Sequence, residues 1–155
     1  MINKRLLLLS ALFLAFNVSA QNLSLCLQKA QTQFEMNQCE GINLAAVNTE
    51  LARVMARIQS VYKASSPELL AELELSHKAW QASLQANLAM KFPLQDKRLN
   101  YGSVYPMCAS AFEAKLVAQR IEFLKEWTVG VEEGEVCSGS VLSEYFLRSD
   151  CGNND

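Results

Sequence analysis

The feature that most constrains the fold of this 155-residue chain is a long stretch in which apolar residues recur every three or four positions. Between Thr32 and about Lys63 this spacing draws one apolar stripe along a helix, formed by Leu44, Val47, Leu51, Val54, Ile58 and Val61 and widened by Met55 and Tyr62. The stripe covers fewer than three heptads. We therefore expect it to pack against the chain's own next helix rather than in a homodimeric coiled coil.

Local signals set the predicted ends of this helix and the start of the next. Thr32 precedes Glu35 by three residues, which is the spacing of a capping box. Ser66 suits the N-cap of a second helix and Pro67 suits its first turn. The short connection predicts an antiparallel hairpin, and Pro93 predicts that the second helix stops near residue 91.

The rest of the predicted core is also helical. The second helix carries one apolar side, and a polar loop from Pro93 to Pro106 leads to a third helix from about Met107 to Trp127. The apolar side of the second helix consists of Leu70, Leu73, Trp80, Leu84 and Leu88, and that of the third consists of Phe112, Leu116, Phe123 and Trp127. Since no segment shows a convincing strand pattern, we predict an all-α fold, a small antiparallel bundle of three main helices.

Residues 1–20 resemble a secretory signal peptide. Lys4 and Arg5 precede an apolar run from Leu6 to Phe16 that is too short to span a membrane, and residues 18–20 are Val-Ser-Ala, a cleavage pattern. No cysteine stands where a lipoprotein signal needs one. Cleavage would leave 12 basic and 16 acidic residues, a net charge of −4. We expect a soluble periplasmic or secreted protein with no membrane anchor.

The five cysteines all follow the predicted signal peptide. Export would bring them to an oxidising compartment, in which disulfides form. Their spacings leave the connectivity open, and without a CxxC pair and with one histidine they do not predict a metal site. Residues 128–155 form a predicted tail after a helical domain of residues 21–127. The tail contains a short apolar group, long enough for one or two helical turns, of Val141, Leu142, Tyr145 and Phe146. A bond between Cys137 and Cys151 would stabilise that tail by about 3 kcal/mol in the chain-entropy model.

No residue pattern predicts catalysis or a cofactor. His77, the single histidine, has Leu73 and Trp80 as helical neighbours. No sequence motif places a nucleophile or a second acid–base group next to it. Motifs for nucleotide binding, metalloproteases and serine hydrolases are absent. A net charge of −2 also disfavours nucleic acid as a partner. The sequence therefore predicts a binding protein rather than an enzyme.

One segment is similar to a known family. Cys26, followed by Thr32–Cys39 with the sequence TQFEMNQC, resembles the TQxEMNxC opening of the LprI-type lysozyme-inhibitor family, small exported helical proteins of bacteria. Later residues agree in order, namely Glu50-Leu51, Ala79-Trp80, Gly102-Ser103, Tyr105-Pro106, Leu116 and Arg120. The resemblance covers roughly Cys26 to Glu126 and implies inhibition of lysozyme by protein–protein binding.

Departures from the family pattern bear on the cysteines. The resemblance implies a second cysteine pair at the positions that are Leu88 and Phe112 here, so both sulfurs are lost together. By the same comparison Cys26 and Cys39 are each other's partners. Cys108 is then the cysteine without a partner, and the alternative is a disulfide between Cys108 and Cys151.

Arg120 lies between Leu116 and Phe123 on the apolar stripe of the third helix, where its guanidinium needs hydrogen-bond acceptors. Asn48 or a helix-end carbonyl could serve. We favour a structural polar tie over a ligand-binding role, because a buried arginine is costly unless it is paired.

The predicted partner-binding residues lie around the loop and are Phe92, Asp96, Arg98, Tyr101 and Tyr105. Tyrosine and arginine are typical interface anchors, and loops can enter an enzyme's cleft. The other interpretation is that the aromatic residues only pack the loop onto the bundle. The acidic stretch from Glu132 to Glu135 is a second candidate against a basic lysozyme, whose encounter a charge of −4 favours. The alternative function is a noncatalytic envelope module with a different partner.

Overall fold

The computed structural model describes residues 21–149, and in this range the chain is built of helices without a β-strand. The predicted all-α class is therefore confirmed. The helices are α1 (residues 21–29), α2 (Gln33–Tyr62), α3 (Pro67–Lys91), α4 (Lys97–Tyr101), α5 (Tyr105–Leu124), α6 (Glu126–Val129) and α7 (Glu144–Ser149). None of these described helices combines the length and the apolar character that a bilayer span requires. The predicted signal peptide lies outside the described residues.

The start of α2 is a capping box, as predicted. The Thr32 hydroxyl accepts a hydrogen bond from the Glu35 backbone N–H at 3.2 Å, and the Glu35 carboxylate accepts from the N–H groups of Gln31 and Thr32 at 2.7 and 2.9 Å. These bonds satisfy N–H groups that a helix start leaves without a partner. The same hydrogen bonds, of which the one from Gln31 has the largest effect, hold the pKa of the Glu35 carboxyl below its usual value.

Helix α3 has the predicted limits but not the predicted cap. Ser66 occupies the N-cap position without a capping bond from its side chain, and Pro67 is the first residue of the helix. At the other end, the Phe92 N–H donates to the Leu88 carbonyl at 2.9 Å and closes the last turn. Pro67 therefore marks the start of α3 without a side-chain cap from Ser66.

The described residues form two compact units, one made of residues 21–46 with Leu94–Phe112 and one made of Val47–Pro93 with residues 113–149. Helices α2 and α5 each contribute to both. In the first unit the disulfide Cys26–Cys39 joins α1 to α2 with a Cα–Cα distance of 5.7 Å, which confirms the pairing that the family resemblance implied. The Asn37 amide also donates to the Ser103 carbonyl at 3.0 Å.

The core of the second unit uses the predicted stripe of α2 but a different face of α5. The buried side chains from α2 are Leu51, Val54, Ile58, Val61 and Tyr62, and those from α5 are Ala114, Val117, Arg120, Ile121 and Leu124. The predicted face of α5 was wrong, because Phe123 is 54% exposed while Ile121 is fully buried. The apolar residues of α5 are distributed around most of its circumference, so its sequence does not define a single buried face.

The tail is anchored within the second unit. The Tyr62 hydroxyl accepts a hydrogen bond from the Leu142 N–H at 3.1 Å, the Trp127 indole N–H donates to the Ser140 hydroxyl at 3.1 Å, and Leu147 is buried. Helix α7 matches the predicted short helical segment. Cys137 is exposed and has no disulfide partner among the described residues, whereas Cys151 lies outside them, so their bond stays a prediction.

Candidate partner-binding site

The segment predicted as a polar loop contains the short helix α4. The Asp96 carboxylate caps it by accepting a hydrogen bond from the Leu99 N–H at 2.8 Å. Gly102, with φ of +70°, ends it by donating its N–H to the Arg98 carbonyl at 3.0 Å. Asp96 and Gly102 are ordinary helix start and stop signals, so the sequence carried the information for α4. Pro106 likewise lies in the first turn of α5, which begins two residues earlier than predicted.

The two tyrosines of this segment pack on each other in the first unit. Their ring centroids are 5.8 Å apart at an interplanar angle of 27°, and the Tyr101 hydroxyl accepts a hydrogen bond from the Leu94 N–H at 3.1 Å. Tyr101 and Tyr105 are both half-buried. These contacts hold α4 in place against the chain segments on either side of it.

The more exposed side chains of α4 are those of other residues. Arg98 is exposed, as is Leu99, with 79% of its surface accessible. Sequence reasoning missed Leu99, although a leucine between an arginine and an asparagine within a polar segment was a visible signal. We define the α4 surface as Arg98, Leu99 and the exposed edges of Tyr101 and Tyr105.

Phe92 does not belong to this surface. It lies in the second unit, where it ends α3 and is only 8% exposed. A buried ring cannot anchor a partner, so the structure corrects its predicted role to one of packing. Of the five predicted residues, Asp96, Arg98, Tyr101 and Tyr105 come together in the first unit.

Arg120 is buried in the second unit, with 7% of its surface accessible. Its Nη2 donates to the Ser76 hydroxyl on α3 at 3.0 Å, and the guanidinium carbon lies 5.9 Å from the ring centroid of Trp80 and 5.2 Å from that of Phe123. One of the two predicted acceptors, Asn48, is exposed and makes no hydrogen bond to Arg120, and the observed acceptor is a hydroxyl rather than a helix-end carbonyl. The polar tie therefore joins α3 to α5 instead of reaching α2.

His77 lies beside this tie on α3. Its ring stacks on Trp80 with centroids 5.4 Å apart, and its Nδ1 is buried without a hydrogen-bond partner. Burial, with a smaller contribution from the Arg120 charge, lowers the pKa of His77. In the part of the chain that the structure describes, no three His, Cys, Asp or Glu side chains gather as a metal site would need.

The lowered pKa of His77 makes stability depend on pH in a definite direction. The unfolded chain takes up this proton near the ordinary histidine value of about 6.5, before the folded protein does, so the free energy of unfolding falls as pH drops through that value. We expect the unfolding free energy of the wild type, minus that of His77→Gln, to fall as the pH is lowered from about 7.5 to 5.5. Urea titrations of both proteins measure it. A constant or growing difference would contradict the assignment.

The comparison with protein families supports the resemblance that the sequence motifs indicated. The family described as lysozyme inhibitor LprI matches residues 26–124, from the first cysteine of the disulfide to the last residue of α5. No curated protein and no solved structure matches the chain. The family match covers well over half of the sequence and includes the TQFEMNQC segment, Trp80 and Arg120. This chain is therefore a member of the lysozyme inhibitor LprI family.

Proposed function

We propose that this protein is an exported, non-enzymatic inhibitor that binds lysozyme stoichiometrically through the α4 surface. The family match over residues 26–124 is the observation that carries this proposal. Export fits the Cys26–Cys39 disulfide, since such bonds persist in oxidising compartments. Signal cleavage after Ala20 would give the net charge of −4 that favours encounter with a basic enzyme.

The α4 surface suits this role because it combines fixed backbone with exposed contact groups. The Asp96 cap, the tyrosine pair and the Asn37–Ser103 hydrogen bond restrain the segment before any partner arrives. A restrained surface loses little conformational entropy on binding. Leu99 and Arg98 then offer an apolar and a cationic group side by side, and arginine is enriched among interface anchors.

Inhibition is tested with purified mature protein and a panel of lysozymes in a cell-wall turbidity assay. We expect at least one lysozyme to be inhibited with an end point at one inhibitor per enzyme. If every lysozyme keeps its full rate at micromolar excess of the protein, the proposal is wrong. Capture of one stable periplasmic partner other than lysozyme would then support the alternative function, an interaction module.

The surface is tested separately with the variant Arg98→Gln/Leu99→Ser. Both side chains are exposed, so the fold should persist, while loss of an apolar and a cationic anchor should weaken inhibition at least tenfold, or about 1.4 kcal/mol. Val136→Ser is the matched control, because Val136 is 93% exposed and lies on the tail. Unchanged inhibition by the double variant would place the binding surface elsewhere.

A further inference from the structure

A groove between α3 and α5 in the second unit has an arginine in its wall. It has a volume of about 290 Å³, and its apolar lining comes from Trp80, Leu84, Leu116 and Phe123. Ser83 and Gln119 are among the polar residues that line it. This volume lies at the small end of the range for ligand sites, which favours a compact ligand.

The arginine in this wall, Arg120, is a buried charge that no carboxylate balances. More than nine-tenths of its surface is covered, yet no Asp or Glu among residues 21–149 forms an ion pair with it. Its one hydrogen bond goes to the neutral hydroxyl of Ser76, and its Nε is enclosed without any partner. A guanidinium offers five N–H donors, so most of its hydrogen-bonding capacity is unused.

Burying an unpaired cation is costly, and an anion that enters the groove would recover part of that cost. A carboxylate matches the planar fork of a guanidinium, and the pairing gains strength where water is partly excluded. The rings of Trp80 and Phe123, which flank the guanidinium, offer an apolar surface to the remainder of the ligand. Charge and lining together therefore specify an anion with an apolar body.

We propose that this groove is a binding site for small monocarboxylates with an aromatic or aliphatic body, held by Arg120 and flanked by Trp80 and Phe123. Arg120 thereby acts as the anchor of a ligand site as well as a tie between two helices. The site lies in the second unit, whereas the α4 surface lies in the first, so the proposal stands independently of lysozyme inhibition.

The probe is phenylacetate, with phenylacetamide as its uncharged counterpart of similar shape. Binding to the mature protein is followed by the NMR shifts of the Trp80 indole N–H and the Arg120 Nε–H. We expect saturable binding with a Kd on the order of 1 mM, as is usual for a ligand of about ten heavy atoms. Phenylacetamide should bind at least tenfold more weakly, because it cannot neutralise the guanidinium.

Two variants separate a ligand site from a purely structural tie. Arg120→Gln should weaken phenylacetate binding at least tenfold, and Phe123→Ser, which alters a ring that is 54% exposed, should weaken it at least threefold without disturbing the fold. Arg148→Gln is the control for loss of one positive charge, since Arg148 is exposed and pairs with Glu144 in α7. It should bind phenylacetate as the wild type does.

Three results would overturn the proposal. The first is no saturable shift at Trp80 or Arg120. The second is equal binding of phenylacetate and phenylacetamide. The third is equal weakening by Arg120→Gln and Arg148→Gln, which would reduce the effect to net charge. If Arg120→Gln fails to fold, Phe123→Ser and the pair of probes still decide the question.

Discussion

Gly130→Ala is expected to destabilise the docking of residues 131–149 by about 3 kcal/mol, because two unfavourable terms add. Gly130 has φ of +87° and ψ of 177°, a region that residues with a side chain rarely occupy. A β-carbon there would also lie 2.7 Å from the Leu142 carbonyl oxygen and 2.8 Å from the Glu144 nitrogen. Both are backbone atoms, so a rotamer change cannot relieve the overlap.

The overlapping backbone atoms of Leu142 and Glu144 also form the hydrogen bonds that dock the tail on Val131. The Val131 N–H donates to the Leu142 carbonyl at 3.1 Å, and the Glu144 N–H donates to the Val131 carbonyl at 2.9 Å. Hydrogen exchange at these two amides measures tail docking, and we expect their protection to fall about 100-fold or more. Unchanged protection would show that the backbone beside Gly130 can shift at little cost.

Gly134→Ala is the matched control. Its φ of +92° is nearly the same, but a β-carbon at this position would have no neighbour within 4 Å. This variant carries the conformational term alone, which we estimate at about 1–2 kcal/mol. The steric overlap at Gly130 therefore predicts a larger loss in Gly130→Ala than in Gly134→Ala.

Removing the Cys26–Cys39 disulfide is expected to cost about 3 kcal/mol of unfolding free energy. The bond closes a loop with a sequence separation of 13, and without it the unfolded chain gains conformational entropy. Cys39 is buried, so the test variant is Cys26→Ala/Cys39→Ala, which leaves no unpaired thiol in the core. Urea denaturation under non-reducing conditions should show a lower midpoint than for the wild type.

Cys108→Ala is the control for the loss of a thiol. Cys108 is half-buried and unbonded among the described residues, so we expect a cost below about 1 kcal/mol. A loss near 3 kcal/mol would instead indicate a bond from Cys108 to Cys151, the alternative pairing. A midpoint in Cys26→Ala/Cys39→Ala equal to that of the wild type would contradict the stabilising role of Cys26–Cys39.

Helix α4 and the tail show where sequence reasoning fell short for different reasons. The signals for α4 were present, but a five-residue helix has too few turns to show periodicity. In the tail, the predicted apolar group included Tyr145 and Phe146, which are exposed, whereas Leu147 is buried. A short segment is oriented by what it docks against, here Tyr62 and Gly130, and not by its own pattern.

The sequence alone determined the features whose causes lie within a few residues of one another. The Thr32–Glu35 capping box and Pro67 placed the starts of α2 and α3, since capping bonds and proline geometry act within one helical turn. The Cys26–Cys39 bond was implied by the resemblance of this segment to the family's opening motif, since the cysteine spacings alone left the pairing open. The spacing of apolar residues along α2 was regular enough to fix its buried face.

Only the tertiary structure decided which distant residues meet. The bond between Arg120 and Ser76 joins residues 44 positions apart, and it depends on how α5 is rotated against α3. That rotation buries Ile121, exposes Phe123 and forms the groove around Arg120. Because α5 is apolar on most sides, several rotations bury a similar apolar area, and the choice among them comes from side-chain packing across helices, which no single segment encodes.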